Sequence, residues 1–148
     1  MEYSIWYYRR LGINIDTPIT YICPDVYFDS AEYSAITIKK GVTISKEVIF
    51  LVHDYSIHYA LVNAGWKPPC GKVAHYIKPI IIGEYSFIGT RVTLLPGTRI
   101  GSNCIIGAGS VVKGTIPDNS VVIGNPACVM SNTHDWALNK LKKEDWVY

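Results

Sequence analysis

Between Ile82 and Pro117 an aliphatic residue returns at every sixth position, a spacing that neither an amphipathic helix nor a half-buried strand explains. Cut at that period the segment reads IGEYSF, IGTRVT, LLPGTR, IGSNCI, IGAGSV and VKGTIP, led by Ile82, Ile88, Leu94, Ile100, Ile106 and Val112. Two residues before each leader stand Ile80, Ser86, Val92, Thr98, Cys104 and Ser110, mostly small or β-branched, and Gly follows the leader at Gly83, Gly89, Gly101 and Gly107. The pattern predicts a short strand and a bend in every six residues, with the aliphatic side chain inside and the small one at a crowded corner. Three such strands close a triangular coil, and stacked coils pair in parallel at about 4.8 Å. Gly, Pro and Thr recur too often for a helix.

The same spacing returns upstream at Ile38, Ile44 and Phe50, preceded by Ile36, Val42 and Val48. From Phe50 to Ile82 the count is not a multiple of six, so an insertion leaves the coil at about residues 54–75. Its Tyr55, His58, Tyr59, Trp66, Pro68 and Pro69 predict an ordered arm rather than a flexible linker. Past Pro117 the rhythm fades through Val121 and Ile123 and breaks at Gly124 to Ala127. Asn132 or Thr133 can then cap a short amphipathic helix, at about residues 132–144, whose Trp136, Leu138 and Leu141 are expected to close the open coil end.

With 148 residues, 49% of them hydrophobic and 18% charged, the chain is expected to form one globular domain over residues 1–148. A net charge of +2, with Lys140, Lys142 and Lys143 as the single cationic cluster, argues against a nucleic-acid surface. The stretch Met1 to Arg10 has aromatic residues where a signal peptide has a continuous apolar core, so no export signal is read there. The longest apolar runs, Val48–Val52 and Ile80–Ile82, are far short of the roughly 20 residues that span a bilayer. Cys23, Cys70, Cys104 and Cys128 form no CxxC pair, which fits a reduced cytoplasm better than a disulfide framework or a zinc knuckle.

The segment IGTRVTLLPGTRIGSNCIIGAGSVVKGTIPDNSVVIGNPACVM resembles the signature of hexapeptide-repeat acetyltransferases of the sugar, capsule and antibiotic-modifying kind. The resemblance implies an all-β fold, a left-handed parallel β-helix with a protruding loop and a short C-terminal helix, assembled as a homotrimer. It also implies an acetyl-CoA donor lying between subunits and a hydroxyl or amine of a sugar-like acceptor, as in surface polysaccharide biosynthesis. In such enzymes a His at the end of an early coil acts as base, and FLVHDYS puts His53 in that place, with Asp54 after it as a group that can orient the imidazole. A free imidazole titrates near pH 6.5 and can take a proton from an attacking hydroxyl. Neighbours on a regular strand point oppositely, so a His53–Asp54 dyad requires a bend.

On the same resemblance the pantetheine arm is lined by Phe87, Gly89, Thr90, Gly107, Ala108, Ser110 and Pro126, and the CoA phosphates are held by Lys113, Arg91 or a Lys of the last helix. Here the chain departs from the family, which usually shows Thr-Lys where Lys113 and Gly114 stand. Tyr55, His58, Trp66 and His75 are the acceptor-contact candidates. No metal is expected. Two other readings stay open: a zinc-dependent hydratase, since His53, His58 and His75 could supply three imidazoles with a fourth position free, and a non-catalytic trimeric scaffold.

Overall fold

A computed structural model describes residues 2–143, with side chains from residue 5 onward. The far end expected for the last helix, residue 144, lies outside the described residues.

The chain is mostly β, and it visits three parallel sheets in fixed rotation. The first face holds Asn14–Ile15, Ile36–Ile38, Ile80–Ile82, Arg99–Ile100 and Thr115–Ile116; the second holds Tyr21–Ile22, Thr43–Ile44, Phe87–Ile88, Ile105–Ile106 and Ser120–Gly124. The third holds Tyr27–Phe28, Ile49–Phe50, Thr93–Leu94 and Val111–Val112. In the downstream circuits the partners lie 18 residues apart, as Ile82 with Ile100, Ile88 with Ile106 and Leu94 with Val112. The register follows from the pattern: a one-residue slip would turn each aliphatic leader outward.

Inside, Ile36, Ile38, Ile44, Phe50, Ile80, Ile82, Ile88, Leu94 and Ile106 are fully buried in one cluster. The small residues at the corners keep their hydroxyls satisfied within the wall. Ser86 Oγ donates to Gly101 O and accepts from Cys104 N, and Thr98 Oγ1 donates to Leu95 O and Val112 O. At Gly89 the next circuit runs so close that a Cβ would stand 2.7 Å from Ala108 N, too near for any side chain.

Among the described residues three α-helices are added to this frame. The first, α1 (Glu2–Leu11), turns Ile5 and Tyr8 onto the core, where Tyr8 meets Phe28 edge-on at 4.8 Å. It leads into a first circuit, residues 14–28, that lies upstream of the expected start at Ile36. The second, α2 (Ile57–Asn63), belongs to the arm, and the third, α3 (Thr133–Leu141), is capped by the Asn132 side chain, which accepts from His134 N. Before α3 the strand Ala127–Asn132 folds back antiparallel on Ser120–Gly124. The helix lies along that hairpin without burying a residue, and Trp136, Leu138 and Leu141 stay exposed instead of closing the coil end.

Candidate active site

After Phe50 the chain leaves the third face through a two-residue antiparallel pair, His53–Asp54 against Tyr76–Ile77. It re-enters at Lys78, whose N–H donates to Val52 O at 2.9 Å, so the arm springs from a pinned root. His53 sits at that root with 28% of its side chain exposed.

Directly beneath it, one circuit earlier, stands Asp29, a carboxylate with 2% exposure. One oxygen accepts from Ala31 N at 3.1 Å; the other accepts from Val52 N at 3.0 Å, from His53 N at 3.2 Å and from His53 Nδ1. Burial opposes the charge on Asp29, yet the backbone N–H groups of Ala31 and Val52, with His53, outweigh it and hold the carboxyl below the ordinary aspartate range. A carboxylate only accepts, so the proton between the pair belongs to Nδ1, and in the neutral ring Nε2 is left with its lone pair. Part of the imidazole faces solvent, so a proton acceptor of fixed orientation stands at the mouth of the arm.

The contact expected from Asp54 to His53 is made by Asp29 instead. Asp54 follows His53 on an extended pair and turns to the other side. Its oxygens accept from Ser56 N and Tyr76 Oη, each at 2.8 Å. Those bonds from Ser56 first, then Tyr76, lower its carboxyl to about 2, with a smaller contribution from the Lys113 charge.

The arm's four acceptor-contact candidates divide into two groups. Tyr55 meets His53 edge-on at 5.0 Å and stacks on His75 at 4.6 Å, so both belong with the root. His58 packs edge-on against Trp66 and its Nδ1 accepts from Ala74 N at 3.1 Å, so these two hold the arm to itself. Among the described residues no three His, Cys, Asp or Glu side chains converge, and His53, His58 and His75 are not brought together.

The donor-lining candidates fall along a different edge. Phe87 projects from the second face with 42% exposure, and Thr90, Gly107 and Ala108 follow at the corner between the second and third faces, with Pro126 at the turn of the hairpin. Two of the expected residues do not reach the surface. Gly89 is buried against the neighbouring backbone, and Ser110 is fully buried, donating to Gly107 O and accepting from Gly124 N. Lys113 lies at the other corner, between the third and first faces, where its charge reaches Asp54.

Sequence reasoning missed Asp29. Its signal was the pair Tyr27–Phe28, which stacks on Ile49–Phe50 and so puts the residue after Phe28 under the chain leading to His53.

Comparison with known proteins agrees with this frame. Residues 79–114 match the family described as bacterial transferase hexapeptide (six repeats). A putative lipopolysaccharide biosynthesis O-acetyl transferase of Escherichia coli is 32% identical over 106 residues, 70% of this chain and 54% of the relative. The chain thus spans about half the length of that curated relative. Among solved structures, a maltose O-acetyltransferase from Clostridium difficile superposes with a TM-score of 0.58 at 25% identity, covering 88% of this chain and 84% of that one. A galactoside acetyltransferase in complex with coenzyme A gives 0.56 at 28% identity, covering 86% and 68%.

Proposed function

The chain belongs to the hexapeptide-repeat acetyltransferases, and from that premise we propose that it moves an acetyl group from acetyl-CoA to a hydroxyl of a sugar-like acceptor, with His53 as general base. The observation that carries this reading is the Asp29–His53 pair at the root of the arm. Nε2 takes the proton from the acceptor hydroxyl as its oxygen attacks the thioester carbonyl. The tetrahedral adduct then collapses, the C–S bond breaks, and the imidazolium returns the proton to the leaving CoA sulfur. Asp29 stabilises the imidazolium formed between those two transfers.

In this proposal the three faces close into a left-handed parallel β-helix, one domain over residues 1–148, and three copies form the working enzyme. The separation of the two edges supports the trimer. Phe87, Thr90, Gly107 and Ala108 line one corner while His53 stands at the next, so a donor held along the first is brought to the base of a neighbouring copy. The exposed Tyr21, Tyr27 and Phe87 give such a neighbour an apolar face to cover. Tyr55 and His75 present the acceptor, and Lys113, Arg91 or a Lys of α3 meets the CoA phosphates. Four free cysteines fit a reduced cytoplasm, and surface polysaccharide assembly is the setting.

The test is mass spectrometry of nucleotide sugars and glycans incubated with enzyme and acetyl-CoA. The reading predicts an acetylated product with wild type and its loss in His53→Ala. An unchanged product in that variant moves the base elsewhere, and a protein whose melting temperature ignores millimolar CoA returns the scaffold reading.

A further inference from the structure

The outer side of α1 is unlike that of an ordinary surface helix. Ile5 and Tyr8 turn inward onto the core. Outward stand Trp6 and Tyr7, 57% and 47% exposed, with Arg9 and Arg10 in the last turn. A solvated helix carries mixed charges on its outer face. Over residues 6–10 this one carries two large amphipathic rings and two guanidinium groups.

The acid of the following loop does not neutralise them. Asp16, on the loop that follows, is paired with Lys39 at 3.1 Å, and Arg9 and Arg10 make no ion pair among the described residues. Beside them lies a cavity of about 440 Å³, lined by Ile5, Trp6, Arg9, Arg10 and Thr17, with an apolar wall and a cationic rim. Trp and Tyr favour the headgroup level of a bilayer, and Arg beside them is drawn to lipid phosphate.

We propose that the outer face of α1, through Trp6, Tyr7, Arg9 and Arg10, docks the folded protein reversibly on an anionic phospholipid surface. The charges choose the occupant: a second copy of this chain would set arginine pairs against arginine pairs across a two-fold contact, whereas a phosphate layer complements both. No helix among the described residues is long and apolar enough to cross a membrane, so contact through this face is peripheral. The inference is independent of the acetyl-transfer reading, since none of the four residues belongs to the His53 site.

The experiment is co-sedimentation of the full chain with extruded vesicles, of phosphatidylcholine alone and of phosphatidylcholine mixed with phosphatidylglycerol. Wild type should partition to the mixed vesicles, and added salt should release it. Arg9→Gln with Arg10→Gln should lower that partitioning about thirtyfold, at roughly one elementary attraction per arginine. Trp6→Ser should weaken it without changing the salt dependence. Circular dichroism on each variant separates lost docking from lost folding. Equal partitioning to both vesicle types, or none to either by a folded wild type, overturns the proposal. So does a light-scattering mass that falls in the arginine variant, which assigns the face to a second copy.

Discussion

At the corner between the second and third faces, Gly89, Thr90, Gly107 and Ala108 stack so closely that a Cβ on Gly89 meets the backbone of the next circuit at 2.7 Å. At the following corner the stacking is interrupted: Asp29 fills it from below, His53 and Asp54 leave it, and 26 residues beyond one circuit of 18 pass before Ile80 pairs with Ile36. The first corner presents short side chains along a smooth edge, with the N–H groups of Gly89, Gly107 and Gly109 paired within the stack. The second gives up regular pairing and gains charged and aromatic side chains. Repetition builds the shape, and charged and aromatic side chains collect where repetition fails.

The sharpest way to break this contrast is His53→Ala. If the irregular corner holds the base, turnover should fall by about two to four orders of magnitude while CoA still raises the melting temperature. Steady-state kinetics beside a thermal shift assay would show it. A variant that keeps more than about a third of wild-type turnover removes the chemistry from that corner.

Asp29→Asn comes next. A hydrogen bond to a charged group contributes about 1.5–3 kcal/mol, so turnover should drop roughly ten- to a hundredfold. The carboxyl of Asp29 is lowered on folding, so its contribution to stability is present above the unfolded value near 3.9 and is lost as pH falls through the lower folded value. Urea melts of wild type and variant should therefore converge on acidification below about pH 4.

The regular corner should answer differently to substitution. Gly89→Val pushes a branched side chain into backbone and should cost about 1–3 kcal/mol, read as a melting temperature several degrees lower. The KM for acetyl-CoA of the folded fraction would show whether that edge also holds the donor.

Asp54→Asn should be the mildest. It leaves the Asp29–His53 contact in place, so turnover should fall less than about tenfold. Its signature is spectroscopic: Asp54 raises the phenol of Tyr76, and in the variant the Tyr76 absorbance titration should move back toward about 10. In wild type the Asp54 carboxyl, followed by carbon NMR, should titrate at about 2.

The circuits from Ile82 to Val112 were readable because each face there takes six residues, and period-six leaders become register partners 18 apart. The first circuit was not. Ile15 to Ile22 is seven residues and Phe28 to Ile38 is ten, the latter lengthened by a single 3₁₀ turn at Tyr33–Ala35, so no fixed period reaches Asn14. Asp29 was lost with it, since its part depends on a neighbour 24 residues away that only the stacking reveals. His53 was singled out through the resemblance of FLVHDYS to the family pattern, and only the stacking supplies its partner. Asp54 was assigned its partner by adjacency, and extended backbone sends adjacent side chains apart. Ser110 was read as surface because the corner pattern does not say which small residues turn their hydroxyls back into the wall.

The hairpin and α1 have a consequence at the scale of many molecules. Parallel stacking of short strands has no internal stop, and an open outermost strand is a template on which another chain can continue the pile, as in cross-β fibres. Here the second face does not end on an open parallel strand: Ala127–Asn132 runs the other way, reverses the hydrogen-bond pattern and breaks its register at Val121 and Val122. At the opposite end α1 lays Ile5 and Tyr8 across the first circuit. For the second face the hairpin is a chain terminator against a one-dimensional polymer, and its removal would leave Ser120–Gly124 as an open parallel edge.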